Sequence, residues 1–233
     1  MREPGTDYFK MRAILSCLLS ASFALGHVAS ADQIEQRISL PQPEASGEIS
    51  VEEALRRRRS VREFARGELN LRDVSQLLWA AQGVTARHGY RTAPSAGALY
   101  PLEIYVVAGN VEGLSPGVYR YRPAVHELIL VVSDDRRKAL ARAALAQSWV
   151  RRTPAVIVLA AVYERTTRKY GKRGRRYVHI EVGHAAQNIY LQAVARDLGT
   201  VMVGAFDGEE VQDVLKLPDD HEPLGLMPVG KVR

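Results

Sequence analysis

Cysteine is almost absent from this 233-residue chain: Cys17 is its single one. It lies in an apolar stretch near the N-terminus, so the rest of the chain has no disulfide and no thiol nucleophile to offer. The six histidines include no H-E-x-x-H pair, and His179 and His184 point in different directions on a helix, so no metal site is expected. Ser95 lacks a G-x-S-x-G elbow, which removes the usual hydrolase nucleophile. There is no G-x-G-x-x-G fingerprint either, so any nicotinamide must bind without a Rossmann domain. Gly225–Val232 approaches a phosphate-loop pattern, but Val232 replaces the magnesium-binding hydroxyl and Pro228 stiffens the turn. Aromatic residues are only 7% and do not interleave with the basic ones, so a net charge of +6 does not read as a nucleic-acid surface.

Long hydrophobic runs are also missing. Ala13–Leu25 is too short and interrupted to span a bilayer comfortably. With Lys10 and Arg12 before it and Ala29-Ser30-Ala31 after it, it reads as a signal peptide over residues 1–31, starting at Met1 or Met11. The protein is therefore expected to be exported, to the periplasm, and cleaved before Asp32. Residues 32–48, with Pro41, Pro43 and Gly47, read as an irregular lead-in. Residues 49–233 then form one domain, since about 200 residues suit a single core.

From Ile49 onward helix and strand signals alternate irregularly, which is the pattern of an α+β fold. Ser50 and Glu53 make a capping box for a helix through Arg58. Leu71, Val74, Leu77, Leu78 and Ala81 recur at helical spacing up to Gly83. Segments 103–108, 117–121 and 127–132 read as strands, with a turn at Arg122-Pro123, and a helix is expected from Asp134 to about Ala146. The apolar run 155–162 suits a fully buried strand. A helix over 177–198, stopped by Gly199, is apolar around most of its circumference and is therefore expected to be central, partly covered by a second subunit. Its Glu181, Gly183, Gln187 and Asn188 suit close packing and bridging, and His184 reads as structural. A strand over 200–206, a short helix to Leu215 and a strand over 224–229 complete the chain.

Three segments carry candidate chemistry. Arg56–Arg59, Ser60 and Arg62 put rigid donor forks and a hydroxyl at a helix end, a set suited to a phosphate, although such charge runs also serve as solvated faces. Pro94-Ser95-Ala96-Gly97-Ala98-Leu99-Tyr100-Pro101 is a stiff loop of small residues that lets backbone amides approach a flat ring. Lys169-Tyr170 lies in a basic stretch with Arg168, Lys172 and Arg173, whose charge would favour a neutral lysine able to act as a base.

The order R-R-S-x-R, then P-S-A-G-A-L-Y-P, then V-G-A-F resembles the SagB-type dehydrogenases of the nitroreductase superfamily, over essentially the whole of 49–233. The resemblance implies a nitroreductase-like α+β fold, a central antiparallel or mixed sheet flanked by helices, and a homodimer with FMN at the subunit interface. It assigns Arg58, Arg59 and Ser60 to the FMN phosphate and ribityl chain and Arg62 to the flavin N1–C2 edge. Pro94, Ser95 and Ala96 would come from the partner subunit, and Gly204 and Ala205 would lie beside flavin N5. Many relatives have Glu-Gly where this chain has Gly204-Ala205, which spares a backbone contact and removes a side chain. Lys231 and Arg233 fall where a second basic group reaches the phosphate, and Lys169-Tyr170 matches the proton-abstracting pair of azoline oxidases.

The chemistry implied by the resemblance is two-electron, ping-pong hydride transfer through flavin N5, on a small-molecule or peptide substrate. A nitro or quinone reductase fed by NAD(P)H, and a flavin carrier without turnover, are the competing readings. The exported protein is expected to begin at Asp32. N-terminal sequencing of the periplasmic fraction checks this, and a chain that keeps Ala13–Leu25 would point to an uncleaved anchor.

Overall fold

The apolar run Ala155–Ala161 is buried at every position, and the sheet is built outward from it. The computed structural model describes residues 36–233, so the expected signal peptide lies outside the described residues. In chain order the elements are β1 (Arg37–Ser39), α1 (Val51–Arg57), β2 (Leu69–Asn70), α2 (Leu71–Gln82), β3 (Leu102–Ala108) and β4 (Val111–Glu112). Then come β5 (Gly117–Arg122), β6 (Glu127–Val132), α3 (Arg137–Ala143), α4 (Ser148–Arg152), β7 (Ala155–Ala161) and α5 (Glu164–Tyr170). The last are α6 (Arg173–Ala195), β8 (Leu198–Thr200), α7 (Gly208–Leu215) and β9 (Glu222–Lys231).

Seven strands form one sheet in the order β1-β6-β5-β3-β7-β9-β8, each neighbouring pair antiparallel. Alternate residues of β3 and β7 serve opposite faces, as the two-residue period of a strand requires. Ile104, Val106, Ile157 and Leu159 pack with α2 and α6, while Tyr105, Val107, Val156 and Val158 pack with α3, α4 and α7. Helices therefore cover both sides of an antiparallel sheet, which is the expected α+β architecture.

Several boundaries differ from the sequence reading. The lead-in is not wholly irregular, because Arg37–Ser39 pairs with β6 as an edge strand. The helix expected from Asp134 starts at Arg137, where the Asp135 carboxylate accepts from the Arg137 N–H, and it stops before Leu145 and Ala146, both at positive φ. The long helix starts four residues early and ends at Ala195 rather than Leu198. Asp197, at φ 52°, turns the chain so that Leu198–Thr200 can pair with β9. Gly199 is thus a strand residue and not a helix stop; a Cβ there would lie 2.7 Å from a Val61 methyl. Only Thr200 and a bridge at Val203 pair in the segment read as a strand over 200–206, because the Met202 N–H is taken by the Tyr190 hydroxyl. At α1, Ser50 accepts from the Glu53 N–H as expected, but the Glu53 carboxylate turns to Arg56 instead of closing the box.

Two histidines are built into this frame as neutral acceptors or donors. Tyr121 Oη lies 2.8 Å from His126 Nδ1, and the other ring nitrogen lies 3.0 Å from the Pro41 carbonyl oxygen. Tyr105 Oη lies 2.6 Å from Nδ1 of the buried His221. Burial pushes both imidazoles below the usual histidine range. A lowered folded-state pKa makes the native state bind fewer protons than the unfolded chain, so this stability is complete above about pH 6.5 and drains away as pH falls. The thermal midpoint is expected to drop between pH 7 and pH 5.5, and less steeply in His126→Gln, as differential scanning calorimetry would show.

Candidate functional site

The Arg56–Arg59 run does not act as one block. Arg56 is bound to Glu53 at 2.7 and 2.9 Å, Arg57 to Asp197 at 3.1 Å, and Arg59 turns back to the Arg56 and Arg58 carbonyls at 3.0 and 2.7 Å. Arg59 therefore caps the end of α1 and lines a pocket of about 290 Å³ with Arg57 and Val61. Arg58 leans the other way, 5.2 Å over the ring of Tyr190. Tyr190 ties this region together. Its hydroxyl accepts from the Met202 N–H at 2.7 Å and lies 3.1 Å from Ser60 Oγ.

Residues 60–65 are laid along the end of the sheet. Ser60 bridges Thr200, the Val61 N–H donates to Thr200 O at 2.9 Å, and the Ala65 N–H donates to Lys231 O at 3.0 Å. Two glycines that face each other across β8 and β9 make this approach possible. A Cβ on Gly199 would meet Val61, and one on Gly230 would meet Phe64 at 3.0 Å. The result is an edge that carries Arg58, Ser60, Arg62, Lys231 and Arg233, with exposed Gly204 and Ala205 just beyond the Val203 bridge. Arg233 lies 3.9 Å from Glu63, an exposed pair worth little in water. The Ala205 carbonyl accepts from Gln147.

The proline-flanked loop forms a second group. Gly97, Ala98 and Tyr100 all have positive φ, a costly conformation for the two non-glycine residues. Ser95 Oγ accepts from the Tyr100 N–H at 2.9 Å and helps hold that turn. A Cβ on Gly97 would lie 2.7 Å from the Tyr170 hydroxyl and 3.1 Å from Lys169 Nζ, so the loop sits directly on the Lys169-Tyr170 pair at the end of α5. The Tyr170 ring packs edge-on against Tyr177 at 5.1 Å. Behind the loop, the buried carboxyl of Glu181 accepts from Gln82 Nε2 at 3.4 Å and lines the same pocket as Ser95. Burial raises the Glu181 pKa to about 7, against the pull of Ser95, Gln82 and Arg91.

Pro94, Ser95, Ala96, Tyr177, Ile180, Glu181 and His184 line a pocket of about 270 Å³. His184 is exposed there, not a satisfied interior histidine. Asn188 bonds the carbonyls of Ala80 and Thr92 in its own chain. No cluster of potential metal ligands occurs among the described residues.

The two groups do not meet within one chain. Glu181 and Tyr190 are nine residues apart on α6, about 13 Å along its axis. Tyr190, Gln82 and Arg91 were not singled out from sequence as site residues. The available signal was a phenol inside an apolar stripe and an arginine just before the loop.

The nitroreductase family model matches residues 55–231. The chain belongs to the nitroreductase family and is an oxidoreductase by class. A provisionally named nitroreductase of Methanocaldococcus jannaschii is 50% identical over 194 residues, covering 83% of this chain and 96% of the relative. A trifolitoxin operon protein of Rhizobium leguminosarum is 27% identical over 83% of this chain, which spans 58% of that protein's length. A crystal structure from Ralstonia eutropha, also provisionally named a nitroreductase, superposes with a TM-score of 0.75 at 31% identity, covering 85% of this chain and 90% of the other.

Tyr190→Phe removes the partner of a backbone N–H and is expected to cost about 1–3 kcal/mol in urea unfolding. Arg233→Ala, on an exposed pair, should change stability by less than about 0.5 kcal/mol.

Proposed function

We propose that the protein is an FMN-dependent oxidoreductase of the SagB-type dehydrogenase branch, working as a homodimer. The cationic edge beside Gly204 is the observation that carries this reading. A phosphate monoester needs cations and a neutral donor, and Arg58, Lys231, Arg233 and Ser60 offer that set on one sheet edge, with Arg62 beside them for the flavin N1–C2 edge. Tyr190 Oη accepts from Met202, so it can give its own hydrogen to Ser60 and leave the Ser60 O–H for the phosphate. The exposed glycine at 204 lets a flat ring approach the backbone without meeting a side chain. The donor set and the open backbone fit the cofactor.

The separation of the loop from this edge supports a site shared by two chains, with Pro94, Ser95 and Ala96 brought by the partner subunit. The outer face of α6, with Ile180, Gly183 and His184 exposed, is where the second copy would lie. Bound FMN would supply reversible two-electron hydride chemistry at N5, serving a donor and an acceptor in turn. Lys169 would take the substrate proton and the Tyr170 hydroxyl would orient it, both held by the Gly97 turn. Lys169 is exposed in the single chain, so substrate or partner has to cover it for that role. Arg168 pairs with Glu164 at 3.0 Å and is turned to its own helix.

The trifolitoxin relatives, one named as a processing protein, favour a processing enzyme, and a peptide substrate belongs to this proposal. The E. coli microcin synthetase complex, at 24% identity and a TM-score of 0.65, adds likeness of fold alone. The name of the Methanocaldococcus protein favours instead a nitroreductase, and a nitro or quinone reductase fed by NAD(P)H is the competing reading. Export to the periplasm belongs to this proposal as well.

The mature protein should quench FMN fluorescence at one flavin per chain and sediment as a dimer; refusal of FMN overturns the proposal. Lys169→Ala should keep FMN and slow oxidation of a thiazoline peptide by roughly 10²–10⁴-fold. Full turnover of that variant with NAD(P)H and a nitroarene, and none of any strain with thiazolines, would select the reductase reading. Bound flavin that no donor bleaches would leave a carrier.

A further inference from the structure

Gln147 stands where local rules favour a different residue. It is the N-cap of α4, a position at which Ser, Asp or Asn would turn a side-chain oxygen back to the first N–H groups of the helix. Gln147 makes no such bond. Its amide leaves the helix and donates from Nε2 to the Ala205 carbonyl, 58 residues further on, at 2.9 Å.

The backbone that delivers this side chain is strained. Leu145 and Ala146, between α3 and α4, hold φ of 54° and 57°, and neither is a glycine. Left-handed residues with side chains persist only where the surroundings impose them, and they gather at functional sites. The Leu145 side chain is 67% exposed, so its own packing does not account for the turn. The turn ends α3 and lays residues 143–147 against 203–207 through two bonds. One is Gln147 to the Ala205 carbonyl, and in the other the Ala143 carbonyl accepts from the Asp207 N–H at 2.9 Å.

The segment 203–207 is also held from its other sides. Val203 exchanges both backbone bonds with Leu226 of β9, at 2.8 and 3.0 Å. Phe206 and Trp149 pack against the same apolar cluster, and Asp207 caps α7. Between these anchors Gly204 and Ala205 are exposed. Among the described residues, the N–H groups of Gly204, Ala205 and Phe206 have no hydrogen-bond partner, whereas the Ala205 carbonyl is taken by Gln147. The segment therefore keeps donors open while that carbonyl is drawn back.

The direction of these peptides matters because an oxidised flavin presents acceptors at N5 and O4. A peptide that flips beside that edge replaces a donor with an acceptor. Flipping the 204–205 peptide rotates ψ of Gly204, which a glycine permits, and φ of Ala205. Ala205 has a negative φ, and the flip drives it toward the left-handed region, which its Cβ disfavours. If the next peptide is free to turn as well, it relieves that cost. Pinned at its carbonyl by Gln147, it cannot.

We infer that Gln147 is a positioning residue for the flavin: by holding the Ala205 carbonyl it keeps the N–H groups of Gly204 and Ala205 turned toward N5. The inference rests on the flavin reading above, which sets these two residues beside N5 and gives Gln147 no part.

The test compares FMN with 5-deaza-FMN, in which a C–H replaces N5 while the phosphate, ribityl chain and carbonyls are unchanged. Both dissociation constants are read by fluorescence quenching in the wild type, Gln147→Met and Gln147→Glu. Methionine keeps the length without a donor, and glutamate keeps the shape but turns a charged oxygen to the carbonyl. Losing a bond to N5 weakens FMN alone. The preference for FMN over 5-deaza-FMN should therefore fall roughly three- to tenfold in Gln147→Met, the worth of one hydrogen bond, and at least as far in Gln147→Glu. A merely structural role weakens both ligands together. That result, or an unchanged preference, overturns the inference.

Amide hydrogen exchange in the protein without FMN reads the same contact separately. The Asp207 N–H should exchange roughly three- to tenfold faster in Gln147→Met, because one of the two bonds from 203–207 to 143–147 is gone. Equal rates overturn the inference, and FMN binding by the wild type then leaves the flavin reading intact. Faster exchange, with refusal of FMN by the wild type, would sink the flavin reading and the positioning role together.

Discussion

The packing of α6 onto the sheet is the interaction on which both halves of the site depend. Val178, Val182, Ala185, Ala186, Ile189 and Ala193 give this helix a face of mostly small residues, and they join one apolar cluster with Ile104, Val106, Ile157 and Leu159. Small side chains let the helix come close, and removing that area from water is favourable at about 25 cal/mol per Å². Once the helix is seated, its polar residues have no freedom to face solvent. Tyr190 and Glu181 are carried inward with their neighbours and must find partners, because a buried polar group without one is expensive. Tyr190 finds Ser60 and the Met202 N–H; Glu181 finds Gln82, and Asn188 bonds the Thr92 carbonyl at the root of the loop. The sheet edge and the loop are thus registered to the same rigid rod.

The strain in the structure is placed consistently with this. Ala98 and Tyr100 hold positive φ in a loop whose stiffness comes from Pro94 and Pro101 and whose turn is pinned by Ser95. Positive φ at such residues costs free energy that the surroundings must supply. Here they are Arg91 stacked on Tyr100 and the Tyr170 hydroxyl against Gly97. A loop held this way presents its backbone in one geometry, which a ring-binding surface needs and an ordinary connection does not.

Much of the fold was legible in the residue pattern. The continuous apolar run of β7, the helical spacing of Leu71 to Ala81 and the Ser50 cap all appear where local rules put them. The misreadings share a cause. Gly199 looks like a helix stop, but the glycine is needed because Val61 presses on β8 from a segment about 140 residues away. Met202 sits in a strand-like run, yet its N–H is captured by a tyrosine from another element. Arg59 matches the phosphate motif, while the end of α1 claims its guanidinium.

Local chemistry, which depends on neighbours within one or two turns, was therefore set by the sequence: element types, the wealth of cations around Ser60, and the small stiff loop with its lysine and tyrosine counterpart downstream. The tertiary structure alone decided which arginine stays turned toward Tyr190, which glycines yield space, and that one glutamate is buried behind Ser95. Those outcomes depend on burial and on hydrogen-bond partners tens of residues away. Desolvation is a property of the assembled core, and no window of sequence contains it.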